Sequence, residues 1–409
     1  MKAVAVADKI WWVGVNDRTT HLFENLWTLP KGVSYNSYLI DDEKTALIDG
    51  VKAEFFGEYL ERINSILGGR PLDYLIVNHV EPDHSGAIRM LRQVYPNLTI
   101  VSNKQALTFI SQFYGESAQC VEVKDGDTLS LGEHTLAFAA IPMVHWPETM
   151  VSFETKSGIL FSCDAFGSYG ALDGAIFDDE LDMDAVEEET RRYYATIVGR
   201  FSCNVQSALK KASPLPIKMI CPSHGPIHRG DVARVINLYD RLSRQETEKG
   251  AVIVYGSMYG HTAYMAECFA EGLLHCGLKT VKVYDASIAD LSCVIRDIWR
   301  YKGLALFSCC YNAGMFPAMH PVVEKIENSK VSGRVLALGG CYTWSKGAEL
   351  KKLVELGKQP CWDLIDPIIE IKSSATDADR KALFEAGCAM ARKILGSTDA
   401  ECPCVEEQA

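Results

Sequence analysis

Residues 75–87 read LIVNHVEPDHSGA, an apolar run that meets two histidines, a glutamate and an aspartate within six positions. In extended backbone, side chains two positions apart share a direction, so His79 and Glu81 can face one side of the loop that follows the strand. Pro82 then bends the chain and presents Asp83 and His84. One short loop thus offers two pairs of ligands to two adjacent metal ions. Histidine and carboxylate without thiolate suit iron, zinc or manganese rather than an electron-transfer copper. Taken alone, the same loop could be a helix cap beside two solvated imidazoles.

Three further strand ends weigh against that plainer reading. His145 follows an apolar strand in PMVHWPE, Asp164 ends another in GILFSCDAFG, and His224 ends a third in IKMICPSHGP, each with Gly or Pro turn residues nearby. Four of the ten histidines fall in this set, more than scatter would place there. Cys163 and Cys221 flank ligands but read as buried core. His228, four residues beyond His224, reads as a surface or supporting group outside the ligand set.

The whole chain bounds what this centre can serve. At 409 residues it exceeds what one hydrophobic core usually supports, so two domains are expected. A formal charge of -12 argues against nucleic-acid binding, which needs a surplus of Lys and Arg. No apolar run approaches the ~18 residues of a membrane span, and the alternating MKAVAVADKIWWVGV is unlike a signal-peptide core. A soluble cytoplasmic protein without a membrane partner is expected. Fourteen cysteines without paired spacing suit a reducing compartment. The terminal ECPCVEEQA, with Cys402 and Cys404, reads as a mobile tail.

Up to about residue 248 the pattern is strand-rich, with a hairpin across SYNSYLIDD and KTALIDG and a helix in AEFFGEYLERINSILGG that stops at Gly68-Gly69. From Lys249 to residue 396 strands and helices alternate, as in a parallel doubly wound sheet; residues 397–409 form the tail. The stretch VYGSMYGHT follows a buried strand and opens a helix without the lysine of a P-loop or a G-x-G-x-x-G. Its Ser257, Met258, Tyr259, Gly260, His261 and Thr262 offer free amides and hydroxyls suited to a phosphate monoester; a simple turn capped by Thr262 is the alternative.

The order H-x-E-x-D-H, His, Asp, His resembles the metallo-β-lactamase superfamily, whose hydrolases usually carry H-x-H-x-D-H. Glu81 in place of the second histidine, followed by a flavodoxin-like half, resembles the flavodiiron proteins. That resemblance implies an α/β chain: an αββα metallo-β-lactamase-like sandwich, then a flavodoxin-like doubly wound parallel sheet. It implies two non-haem irons, one on His79, Glu81 and His145, the other on Asp83, His84 and His224, with Asp164 bridging them. Three carboxylates and one bridging hydroxide would neutralise two ferrous ions, and the extra carboxylate favours redox chemistry over hydrolysis. Tyr194 resembles a family tyrosine near the iron pocket that can donate to bound oxygen.

The same resemblance assigns FMN to the second half. Its ring would lie between FSCCYNAGMFPAMHP, through Ser308, Cys310, Tyr311, Asn312, Ala313 and Gly314, and LGGCYTWSKGAEL, through Gly340, Tyr342, Trp344, Ser345 and Gly347. The first loop departs from the family's Ser-Pro-Thr-x-Asn, since Cys309 and Cys310 replace the middle residues. The implied activity reduces dioxygen to water, nitric oxide to nitrous oxide, or both, with electrons from an external donor such as rubredoxin or a flavin reductase. No rubredoxin-like cysteine pattern follows residue 396, so a separate donor is expected. Domain radii of about 15 and 18 Å allow the two sites of one chain to lie tens of ångströms apart. A head-to-tail homodimer or a tetramer, as the resemblance implies, would bring one chain's flavin beside the other's iron pair. The competing reading is a dimetal zinc hydrolase with an accessory flavodoxin-like domain; a plainer one is an electron carrier with a degenerate metal site.

Overall fold

The computed structural model describes residues 2–396; the tail with Cys402 and Cys404 lies outside the described residues. Residues up to Arg244 form one compact unit and those from Gln245 a second. The division falls ahead of Lys249 because Gln245 is already tied into the second unit: its Oε1 accepts from Ser332 N–H at 2.8 Å and from the Arg334 guanidinium at 3.1 Å.

In the first unit, a seven-stranded sheet runs in the order Val4–Ala7, Ile10–Trp12, Tyr38–Asp41, Thr45–Ile48, Tyr74–Ile76, Thr99–Ser102 and Cys120–Glu122. A five-stranded sheet runs Thr128–Ser130, Thr135–Ala140, Met150–Glu154, Ile159–Cys163 and Met219–Pro222. The two meet face to face through one core that joins Ile10, Trp12, Ile40, Ile48 and Ile76 to Leu136, Phe138, Ile159 and Phe161. Each buried Ile or Phe there contributes about 1.5–3 kcal/mol. Helices cover the outer faces, completing the αββα arrangement. Phe56–Leu67 buries Tyr59, Ile63 and Leu67 and ends on Gly68 at φ 58, where a left-handed residue closes the last turn.

Strand direction places the chemistry. Thr45–Ile48, Tyr74–Ile76 and Thr99–Ser102 are mutually parallel, so their carboxyl ends share an edge. Ile159–Cys163 and Met219–Pro222 are parallel to each other, and Thr135–Ala140 runs in their direction because two antiparallel steps separate it from Ile159–Cys163. The loops carrying His79, His145, Asp164 and His224 all leave strands at such ends.

In the second unit the sheet order is Val281–Asp285, Glu248–Gly256, Tyr301–Tyr311, Arg334–Tyr342, then Trp362–Leu364, with every one of these pairings parallel. Ile369–Lys372 also pairs in parallel with Arg334–Tyr342. This is the 2-1-3-4-5 order of a flavodoxin-like sheet, whose ligand crevice lies at the carboxyl ends where the order reverses. Strands buried on both faces, such as Ala251–Val254 and Leu304–Phe307, read as unbroken apolar runs for that reason.

Candidate metal centre and cofactor pocket

The seven side chains singled out from the sequence gather in the first unit as two groups: His79, Glu81, His145 and Asp164, and Asp83, His84 and His224. Glu81 Oε2 lies 3.3 Å from His79 Nε2 and 3.1 Å from His145 Nε2. Asp83 Oδ2 stands 3.4 Å from His84 Nε2 and 3.3 Å from His224 Nε2. Asp164 joins the groups. Its Oδ2 is 3.3 and 3.2 Å from the Nε2 atoms of His79 and His145, and its Oδ1 is 3.1 and 3.4 Å from those of His84 and His224. Donors about 2.1 Å from a shared ion stand roughly 3.0–3.4 Å from one another in octahedral or tetrahedral geometry, so these separations suit one ion per group with Asp164 between them.

Burial makes the same demand. Both oxygens of Asp83, Oδ2 of Asp164 and Nε2 of His224 are buried without a hydrogen-bond partner, a costly state that a cation would relieve. Burial alone would lower the His84 and His145 pKa values, but the facing carboxylates outweigh it and raise them to about 9 and about 10. Burial pushes the carboxyls of Glu81 and Asp164 upward, and the facing imidazoles overcome it and hold both low.

Supporting contacts orient the ligands. His79 Nδ1 lies 2.7 Å from Glu148 Oε1, and His224 Nδ1 lies 2.7 Å from the Ser34 carbonyl, so each ring is held by one nitrogen with the other aimed at the centre. Nothing in the spacing ties Glu148 to His79, 69 positions away. Asp49 accepts from the Asn78 N–H at 2.7 Å and anchors the loop before His79. Glu24, in the turn after Leu22–Phe23, has an exposed side chain that still senses the centre: desolvation first, then the charge of Glu81, raises its carboxyl.

Tyr194 is not at this pocket. Its hydroxyl lies 3.0 Å from Ser202 Oγ and its ring packs edge-on to Tyr239 at 5.1 Å. Tyr193 faces the centre instead, 5.5 Å from the His224 ring, with a buried hydroxyl that has no hydrogen-bond partner. Neighbours on a helix diverge by about 100°, so only one of the adjacent tyrosines can face the site. The helix Met183–Tyr193 also loosens into a π turn at Tyr194–Val198. His228 is a buried side chain 4.0 Å from Asp178, outside both ligand groups and not on the surface.

In the second unit a pocket of about 310 Å³ opens at the carboxyl ends of the strands. Ser257, Met258, Tyr259, His261 and Thr262 line one side, Cys309 and Cys310 the floor, and Cys341, Tyr342, Thr343, Trp344 and Ser373 the other side. Gly260, at φ 93, lets the loop turn into the helix His261–His275. Thr262 Oγ1 is buried without a partner, a donor left for an anion at the helix start. Tyr259 and Trp344, 87% and 63% exposed, leave flat faces open for an aromatic ring.

Two expected contacts point elsewhere. Ser308 is fully buried and its hydroxyl binds Phe316 N–H and the Cys309 carbonyl, because alternation turns it inward. Gly340 leaves room for Glu349, whose Oε1 would lie 2.7 Å from any Cβ at 340. Tyr311–Gly314 close a tight turn with Asn312 and Ala313 at φ 48 and 57; they, Ser345 and Gly347 stand outside the pocket lining. Cys309, Cys341, Thr343 and Ser373, which the sequence did not single out as contacts, also line the pocket.

Fold and site together define a two-domain metalloflavoprotein, and comparison with known proteins agrees. Residues 33–225 match the ODP family beta lactamase and residues 253–387 match flavodoxin. The chain is 32% identical to the nitric oxide reductase of Moorella thermoacetica, over 96% of this chain and 98% of that one. It is also 32% identical to the anaerobic nitric oxide reductase flavorubredoxin of Vibrio vulnificus, over 84% of this chain and 71% of that protein. Among solved structures, rubredoxin:oxygen oxidoreductase from Desulfovibrio gigas matches with a TM-score of 0.92 at 29% identity, covering 97% of this chain and 99% of the other. The flavodiiron protein of Giardia intestinalis gives 0.92 at 29%, covering 98% and 99%. The chain belongs to the flavodiiron protein family.

Proposed function

We propose that this protein is an oxidoreductase that reduces dioxygen to water, nitric oxide to nitrous oxide, or both. Its electrons come from an external donor such as rubredoxin or a flavin reductase. The observation that carries this reading is Asp164, one oxygen turned to each ligand group, together with Glu81 where hydrolases of this fold usually carry a histidine. FMN in the second unit would supply hydride-level electrons, and an iron pair on the seven ligands would deliver them to the gas.

This chain's own residues supply positioning and protons. Asp164, Glu81 and Asp83 balance the cations' charge; Glu148 and the Ser34 carbonyl hold His79 and His224 in the tautomer that leaves Nε2 free. The Tyr193 hydroxyl is the unpaired donor facing the centre. Thr262 and the helix amides would hold the FMN phosphate, and Trp344 and Tyr259 would cover its ring. Each dioxygen molecule needs four electrons and four protons, and a reduced FMN with a diferrous pair would together hold those four electrons, two on each. A zinc hydrolase is not favoured, because nitric oxide reductases and an oxygen oxidoreductase are the relatives.

A head-to-tail homodimer or a tetramer would bring the flavin of one chain to the metals of another. No helix among the described residues is long and apolar enough to cross a membrane, which supports a cytoplasmic protein. Anaerobic reduction of the iron- and FMN-loaded protein, then parallel measurement of oxygen and nitric oxide consumption, tests the reading. Consumption of at least one gas is expected; consumption of neither would refute it.

A further inference from the structure

Behind the floor of the flavin pocket sits a carboxyl group that the proposed reaction does not use. Glu349 is fully buried, and neither of its oxygens has a hydrogen-bond partner. Gly340 lacks the Cβ that would collide with it. Its neighbour is a second carboxylate: Glu370 pairs in register with Gly340, the position Glu349 crowds, accepts the Gly347 N–H and has Lys346 Nζ 4.0 Å from its other oxygen. Two carboxylates side by side in a water-poor site repel each other, so the pair binds one proton more tightly than a lone carboxylate, and a shared proton turns the repulsion into a hydrogen bond.

The remaining ionisable groups facing Glu349 are thiols. Cys310, on Tyr301–Tyr311, is pushed up by burial and by the Glu349 charge; Cys341, on Arg334–Tyr342, is pushed up to about 11 by burial, by Cys309 and by Glu349. Both therefore stay neutral near pH 7. Burial pushes Glu349 itself up to about 7, with the Glu370 charge adding to the rise. Cys310 and Cys341 line the pocket, so the carboxyl pair lies one side chain from the place a flavin would occupy.

We propose that Glu349 and Glu370 together take up one proton from solvent, shared between them, when the bound flavin is reduced. This rests on FMN occupying the pocket. The reductant's two electrons go to the flavin; the solvent proton goes to a carboxylate oxygen of the pair, turning –COO⁻ into –COOH, drawn by the added negative charge beside it. Because uptake accompanies reduction, the flavin's midpoint potential should fall more steeply with rising pH above about pH 7 than it would without the pair, by up to one proton per two electrons.

The test uses the full-length, FMN-loaded protein and its Glu349→Gln and Glu370→Gln variants, each reduced with dithionite at about pH 8, where the pair is mostly ionised before reduction. The infrared difference spectrum, reduced minus oxidised, should show a gained carboxylic-acid carbonyl band that shifts in D₂O and is lost in both variants. The extra slope of potential against pH should be lost with it. FMN bound normally but with no such band, or with the band and slope unchanged in the variants, overturns the proposal alone. Failure of the wild-type protein to bind FMN overturns both it and the cofactor reading beneath it.

Discussion

Glu148 Oε1 lies 2.7 Å from Nδ1 of His79, both side chains fully shielded from solvent, while His79 Nε2 points at Glu81 and Asp164. A carboxylate behind an imidazole fixes the ring's tautomer and raises the donor strength of the opposite nitrogen. Replacing Glu148 by Gln should therefore weaken iron binding roughly 10- to 100-fold, measured by competition with a chelator, and leave FMN content unchanged. Unchanged iron affinity would show that the contact is only structural.

Asp164 serves both groups at once, so it has no substitute. Asp164→Ala should lose the metal pair and gas consumption together while keeping the yellow flavin spectrum. A variant that retained turnover would show that the second unit or a single ion carries the chemistry.

The adjacent tyrosines make opposite predictions. Tyr193→Phe removes the unpaired hydroxyl beside His224 and should lower turnover by about tenfold or more. Tyr194→Phe breaks a hydrogen bond to Ser202 and should cost about 1 kcal/mol of stability with turnover nearly intact. Thermal melts and steady-state rates on the two proteins separate the cases.

Thr262→Val keeps the shape of the helix start and deletes its buried, unpaired hydroxyl. Hydrogen bonds to a charged group contribute about 1.5–3 kcal/mol, so FMN affinity should fall by roughly 10- to 100-fold in a fluorescence titration. An unchanged affinity would move the phosphate elsewhere in the pocket.

Iron uptake should depend on pH with a definite sign. Facing carboxylates outweigh burial to hold His84 at about 9 and His145 at about 10 in the metal-free protein, so both are charged at pH 7 and must shed protons to bind a cation. Uptake should then release protons into a weakly buffered solution and tighten as pH rises from about 6 to 9. The same raised values stabilise the metal-free fold below an imidazole's ordinary value of about 6.5, and that contribution fades as pH rises through 9 to 10.

Much of this centre could be read in the chain because its ligands stand at strand ends, where alternation and turn residues leave a local mark. His79, Glu81, Asp83 and His84 share one loop, and His145, Asp164 and His224 each follow an apolar run. What escaped the sequence depends on rotation or on distant contact. Tyr193 and Tyr194 are identical in type and adjacent, so only the helix phase decides which one faces the site. Glu148 and Ser34 reach their histidines across 69 and 190 positions. In the flavin pocket, the inward turn of Ser308 and the space that Gly340 yields to Glu349 are set by neighbouring strands.

Seven side chains from separate strand ends converge to hold a redox-active metal pair. Elemental analysis of the purified protein, counting iron, zinc and manganese per chain, decides whether they do. Two irons per chain are expected; two zincs, or a single ion of any kind, would refute a redox pair.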